Sequence, residues 1–332
     1  MSPLAWFNSS VAAWFTAWGM NALVFSWLVV GVLEAEPRWV GFAQSSTMLP
    51  SLLFLLFGGA VADRLEPRRW LMLLHGVCCL PILALAGVVQ TGALAMPLLL
   101  AYGATLGTVS AFVLPARDAM LSRVAGDDMM RAVTGVTLFQ FGGQALGTFV
   151  GGLAEVTGIV SVLVTQASLI AVGAIATSRI AGAPLVRAQA DGSAWSQIRE
   201  GLAVVRGEPN LRIPVVLVVL VGIFFIGPYL VLFPLIVRDS YAGGARELAL
   251  VLMTFPVGTI LGSMLLRWRG GIGRKGRALL ISLASGALIE IVMASGLPYP
   301  GFVLAGLAWG LAGSIFINCS RTLVQEAAPD AT

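Results

Sequence analysis

Apolar stretches of about twenty residues, separated by short polar segments, follow one another along the whole chain. A run of about 20 apolar residues matches the hydrocarbon thickness of a bilayer when it is helical. The runs are continuous and do not alternate with period two, so they predict spanning helices rather than the strands of a barrel. Ten spans follow from this pattern: Ser10–Leu33, Gly41–Ala62, Trp70–Val89, Met96–Leu114, Ala132–Leu153, Ile159–Ser178, Ile213–Val237, Leu248–Leu266, Ala278–Ser295 and Gly301–Cys319. The longest polar stretch, Ala181 to Arg212, divides them. Residues 1–180 form a six-span half, 181–212 a linker, and 213–332 a second half with four spans.

Composition excludes a water-soluble domain: 58% of the 332 residues are hydrophobic and 11% charged, and the mean hydropathy is +0.91. A soluble fold needs a polar shell that this chain cannot supply. The charge that remains is ordered. Of the 20 basic residues, all but Arg38, Arg238 and Arg246 fall in one set of alternate loops. By the positive-inside rule those loops and the N-terminus are cytoplasmic, which predicts a multi-pass protein of the cell inner membrane. The net charge of +4 therefore reflects topology, and no nucleic-acid partner is expected. Cys78, Cys79 and Cys319 lie in apolar stretches and His75 is the single histidine. They outline no disulfide framework, metal site or cofactor site, and His75 reads as a packing residue.

Two stretches echo each other at an offset of about 203 residues. Gly59, Asp63-Arg64 and Arg68-Arg69 are matched by Gly262, Arg267, Arg269 and Arg274-Lys275, and Pro115-Ala116-Arg117 by Cys319-Ser320-Arg321. Parallel repeats joined by a cytoplasmic linker are a plan of secondary transporters. On that plan spans five and six lack second-half counterparts, and the expectation is a chain short of its last two helices; a genuine ten-span protein is the alternative.

The loop after span two reads Gly58-Gly59-Ala-Val-Ala-Asp63-Arg64-Leu-Glu66-Pro67-Arg68-Arg69. Glycines let helices approach, and an acid at a helix end can engage a dipole or an arginine. This loop resembles the signature of the major facilitator superfamily, Gly-x-x-x-Asp-Arg followed by a basic cluster, with Gly59, Asp63, Arg64, Arg68 and Arg69 at the matching positions. Glu66 stands where many members carry glycine, which resembles the enterobactin-exporter and multidrug-exporter branch. Span five contains Gly143, Gly147, Gly151 and Gly152, similar to the family's antiporter motif Gly-x-x-x-Gly-Pro-x-x-Gly-Gly, with Thr148 in place of the proline. The segment Trp195 to Val205 reads as an amphipathic helix on the cytoplasmic leaflet, and its Arg199-Glu200-Gly201-Leu202 resembles the linker helix of the same branch.

The resemblance implies an all-α membrane protein, a major-facilitator-type helical bundle with two pseudo-symmetric halves, of whose twelve transmembrane helices about ten are present. It implies a monomer that exchanges a small molecule for protons by alternating access, without cofactors. Asp63 and its loop, with Arg117, would form a cytoplasmic gate. Spans one, four, seven and ten would line the substrate cavity, where the polar and aromatic residues are Asn21, Phe25, Tyr102, Thr105, Phe225, Tyr229, Trp309 and Ser314. Gly227-Pro228 and Pro234 should bend span seven. Aromatic residues with few charges suit a bulky, partly apolar substrate of drug or siderophore type. Asp63 and Glu290 are the candidates for proton coupling, Glu290 as the clearest charge within a span. Other readings are a proton-coupled importer and a membrane protein that does not transport. A membrane-embedded enzyme lacks support, since the one close acid pair is Asp127-Asp128 and the chemistry needs clustered carboxylates or a His–acid pair. There is no Gly-x-x-x-x-Gly-Lys nucleotide loop for an ATP-driven pump.

Overall fold

In a computed structural model, residues 2–62, 64–125, 129–181, 199, 203, 206–207, 209–270 and 272–327 are described, and all regular structure among them is helical. The helices are α1 (Pro3–Trp27, continued by a π-helical turn Leu28–Val32), α2 (Pro37–Ala62), α3 (Pro67–Gln90), α4 (Met96–Val124), α5 (Met129–Gly152) and α6 (Ile159–Ser178). A short turn, Ala154–Thr157, joins α5 to α6. α7 is composite: Pro209–Val221, two π-helical turns at Gly222–Ile226 and Pro228–Leu232, then Phe233–Tyr241. α8 (Ala245–Trp268), α9 (Lys275–Ala294) and α10 (Tyr299–Ala327) follow. Among the described residues eight of these are long and apolar enough to cross a bilayer; α2 and α5, of 26 and 24 residues, lie where spans two and five are predicted.

Local sequence explains the ends. Ser2 caps α1, its hydroxyl accepting from the Ala5 amide at 3.2 Å, and Pro3, Pro67 and Pro97 sit in first turns where a missing N–H is harmless. Gly158 (φ 85°) and Gly296 (φ 82°) supply the left-handed conformation at the turns before α6 and α10. Helices outrun the predicted spans, most of all at two C-terminal ends, where α4 continues from Leu114 to Val124 and α10 from Cys319 to Ala327, while α1 begins at Pro3, ahead of Ser10. Hydropathy marks only the lipid-facing length. Backbone hydrogen bonding continues past it, so Arg117, Asp118 and Arg123 are helical too.

By contacts the chain forms two compact units, residues 1–191 with 234–249, and 192–233 with 250–332. In the first unit α1 packs on α5 and α6, α2 on α4, and α3 on α6 and α4. Phe7, Met20, Leu23, Leu71, Ile82, Leu106 and Leu163 are fully buried there. In the second unit α10 packs on α9 and α7, with Leu279, Phe316 and Cys319 at the centre of one cluster.

The two units repeat one packing device. A Cβ on Gly58 would strike the Ala111 carbonyl, one on Gly103 the Ser46 and Thr47 hydroxyls, and one on Gly107 the Thr47 carbonyl. In the second unit a Cβ on Gly262 would strike Ser314, one on Gly306 would lie 2.5 Å from Thr254 Oγ1, and one on Gly310 would lie 2.7 Å from the Phe255 carbonyl. Gly103 and Gly306 are 203 residues apart, as are Gly107 and Gly310. The offset seen in the sequence thus recurs as the same close helix contact, α2 with α4 and α8 with α10. Apolar burial gives no drive between helices in lipid, so such close backbone approach is a main source of association.

Candidate substrate site and gating elements

In the first unit the predicted residues of α1 and α4 meet. The Tyr102 hydroxyl donates to Asn21 Oδ1 at 2.5 Å, and the Phe25 and Tyr102 rings lie 6.0 Å apart. Gln166 of α6 joins them, its Nε2 donating to the same Asn21 oxygen at 3.4 Å. All three polar side chains are buried, and Gln166 Oε1 accepts no hydrogen bond among the described residues. Gln166 was missed by a reading confined to spans one, four, seven and ten; the signal was an amide inside an apolar span. Thr105 stays apart, exposed and bonded to the Ala101 carbonyl of its own helix at 2.8 Å.

In the second unit an aromatic cluster surrounds Trp309. Phe225 and Tyr229 stack on it with centroids 6.2 and 5.8 Å away, and Phe233 and Phe255 close it at 6.0 and 4.8 Å. The Tyr229 hydroxyl donates to the Leu252 carbonyl at 2.6 Å, which fixes its ring. Phe225, Tyr229 and Phe233 recur every four residues on α7 and so share a face. Pro228 removes a helical donor and pushes on the preceding turn, and the two π-helical turns absorb the strain on either side of Gly227. Phe233 and Phe255 were missed, although the four-residue step from Phe225 through Tyr229 pointed to the first. Ser314 does not join: its hydroxyl donates to Leu311 O at 2.7 Å, and it faces Gly262.

In the loop between α2 and α3, Asp63 of the expected gate lies outside the described residues. Arg68 reaches across to α6, its Nη2 donating to the Ser178 carbonyl at 2.6 Å. That places a cation at the negative end of a helix dipole. Arg69 pairs with Glu66, the residue before α3, at 3.3 Å, while Arg64 is exposed. Arg117 is largely buried, 3.2 Å from Asp118 and with its guanidinium 5.1 Å above the Phe15 ring. Of the two loop-entry glycines, Gly58 makes the close approach to α4 and Gly59 faces open space.

The glycine motif of α5 is the seam with α1. A Cβ on Gly143 would lie 3.0 Å from the Ala12 carbonyl, one on Gly147 would strike the Thr16 carbonyl, and one on Gly151 would lie 2.9 Å from the Leu23 side chain. From the other side, a Cβ on Gly19 would strike the Gln144 carbonyl. Thr148, at the motif's proline position, donates its hydroxyl to Gln144 O at 2.9 Å and reaches Gly19 O at 3.4 Å. Gly152 faces Ala249 instead.

Glu290 of α9 lines a groove of about 680 Å³ with Leu220, Phe224, Phe225, Leu283 and Ala287, and its Oε1 is buried without a hydrogen-bond partner among the described residues. His75 is buried in the first unit, Nδ1 2.7 Å from Leu71 O and its ring edge-on to Trp14. Asp127 and Asp128 lie outside the described residues, as does the expected linker helix apart from Arg199 and Ala203. Among the described residues no group of His, Cys, Asp or Glu could hold a metal ion.

Repeated helix packing, membrane-length apolar helices and a buried polar or aromatic cluster in each unit define a multi-pass membrane protein of the secondary-transporter class. The profile described as the Major Facilitator Superfamily matches residues 8–332, and the chain belongs to that family. No curated protein matches the sequence. Several solved transporters share the fold. The nucleoside transporter NupG aligns with a TM-score of 0.76 at 15% identity over 100% of this chain and 84% of its own. A D-xylose-proton symporter aligns at 0.73 and 14% identity over 99% and 82%. A bacterial homologue of the human lysosomal transporter Spinster, in an inward-facing unoccupied conformation, aligns at 0.70 and 14% over 97% and 75%. The family is one of transporters, which removes the enzyme reading.

Proposed function

We propose that the protein is a secondary active exporter that exchanges protons for a small, partly apolar molecule by alternating access. The observation that carries this reading is the pairing of first and fourth helices within each repeat: Asn21 with Tyr102 in one unit, and Phe225 and Tyr229 with Trp309 in the other. Stacked rings offer area to a planar or bulky apolar solute, and the amide–phenol pair offers polar contacts that fix its orientation. The direction rests on the glycine seam of α5, whose pattern resembles that of exporters. Glu290, a half-buried residue whose Oε1 has no hydrogen-bond partner among the described residues, is the proposed proton carrier together with Asp63. In this reading the N-terminus is cytoplasmic, the arginine-rich loops face inward, and residues 1–180 and 213–332 act as two halves joined by the linker 181–212. The protein works as a monomer in the cell inner membrane.

Proton-driven import is the second reading, favoured by the fold shared with a D-xylose-proton symporter. A strain lacking this protein, challenged with a panel of toxic compounds and complemented with the chain, separates the two. Export predicts that the chain restores resistance to at least one bulky aromatic compound; import predicts that it raises sensitivity. A complemented strain indistinguishable from the deletion across the panel would refute the export reading.

A further inference from the structure

The two faces of α3 differ in kind. Leu71, Leu74, His75, Cys78, Ile82 and Leu85 are buried, on the side that packs on α6 and α4. On the other side Arg69, Met72, Leu73, Gly76, Val77 and Leu80 follow at helical spacing and line a groove of about 520 Å³. Leu73, Val77 and Leu80 are exposed. Gly76 lies at the middle of the groove, and a Cβ there would meet nothing within 4 Å. Its missing side chain hollows a face that Leu73 and Leu80 would otherwise fill. From Arg69 to Leu80 is eleven residues, or about 16 Å of helix. That is close to one leaflet of a hydrocarbon core about 30 Å thick. The polar end of the groove is basic. The side chain of Arg69 is 88% exposed and meets Glu66 at 3.3 Å through Nε, and Arg64 is exposed nearby. Arg68 bonds to the Ser178 carbonyl, which sets the end of α6, with exposed Arg179, beside the start of α3. Four arginines thus gather there against two acids, Asp63 and Glu66.

We propose that this groove seats an anionic phospholipid, with its phosphate on Arg69 and one acyl chain along Met72, Gly76 and Leu80. The apolar walls alone would accept the chain of any lipid. The arginine at one end, a leaflet's depth from the other, selects the headgroup. A guanidinium fork matches phosphate oxygens in a way that a point charge does not, and the exposure of Arg69 leaves that fork open. A surplus of arginines around it holds anionic headgroups in preference to zwitterionic ones. The site lies wholly within the first unit and stands whatever solute the protein moves and in whichever direction.

The test needs no substrate. Protein in a non-ionic detergent is titrated with phosphatidylglycerol or phosphatidylcholine, and bound lipid is counted by native mass spectrometry. The parent should hold its first phosphatidylglycerol about fivefold more tightly than phosphatidylcholine, the scale of one arginine at an anionic surface. Arg69→Gln should abolish that preference, and Arg69→Lys should keep part of it. Gly76→Leu fills the groove from an exposed position and should weaken both lipids alike. If that variant does not fold, Gly76→Ala, which adds one methyl group in open space, gives the same sign at smaller size. Arg277→Gln, the same loss of charge at an exposed residue of α9, should leave the preference intact. Inorganic phosphate should not displace the lipid. Phosphatidylglycerol binding in Arg69→Gln indistinguishable from the parent would overturn the proposal. So would an equal loss in Arg277→Gln, which would mean diffuse charge, or displacement by phosphate, which would mean an anion site without a chain. Unchanged binding in both Gly76 variants would remove the groove as the seat and overturn it as well.

Discussion

Replacing Gly147 by alanine tests the α1–α5 seam with a single methyl group. That methyl would fall on the Thr16 carbonyl oxygen, with Thr16 C at 2.7 Å and Met20 N at 2.9 Å. Relaxed contacts between heavy atoms lie near 3.5 Å or beyond, so the helices must part by about an ångström, and the obstacle is backbone that cannot rotate aside. Overpacking of this kind costs about 1–3 kcal/mol. Alanine regains about 1 kcal/mol of helix propensity over glycine, which leaves a net loss of up to about 2 kcal/mol, at the upper end here because the obstacle is backbone. Two neighbours calibrate the effect. A Cβ on Gly142 meets nothing within 4 Å, whereas one on Gly151 meets the Leu23 side chain, which can shift. Heating detergent-solubilised protein and measuring the surviving monodisperse peak by gel filtration should therefore rank Gly142→Ala at or above the parent, Gly151→Ala below it and Gly147→Ala lowest. Gly19→Ala combined with Gly147→Ala should cost less than the two singles together, because helices already separated admit the second methyl freely. Equal midpoints for the three single variants, or Gly147→Ala above the parent, would refute the seam.

Asn21→Ala leaves both the Tyr102 hydroxyl and the Gln166 amide without their shared acceptor, and should destabilise by about 0.6–1.7 kcal/mol, the range of interhelical hydrogen bonds in lipid. Tyr102→Phe removes one donor and leaves Asn21 its bond to Gln166, so its midpoint in the same thermal assay should fall by less. Arg68→Ala removes the cation on the Ser178 carbonyl, and hydrogen exchange over the last turn of α6 should quicken several-fold while that of α4 is unchanged. Failure of that exchange to respond would mean that Arg68 does not secure the α6 terminus.

The spans were legible because lipid imposes a length and a polarity on any helix that crosses it, and each predicted span falls on one helix. What hydropathy does not encode is where a helix stops once it leaves the lipid, which is why α4 and α10 run further than expected. Side-chain partners were legible only where composition singles them out. Tyr229 and Trp309 stand out in apolar spans, but Phe233 and Phe255 are common residues whose role appears when α7 and α8 are packed. Gln166 belongs to a span outside the expected four, so only the fold shows that it shares an acceptor with Tyr102. The glycine string of α5 was visible as a pattern, yet its reciprocal residue, Gly19 on α1, carries no local signal. The two π-helical turns of α7 were foreshadowed by Gly227-Pro228 and not by the sequence before it.

The central claim is that this bundle couples solute movement to protons through the paired helices of its two repeats. Purified protein in liposomes loaded with a pH-sensitive dye, challenged with a compound identified by the growth screen, tests it directly. The account predicts saturable proton movement opposite in direction to the solute, lost in Trp309→Ala that elutes as folded protein. Solute crossing no faster than through empty liposomes, or transport unchanged by Trp309→Ala, would contradict it.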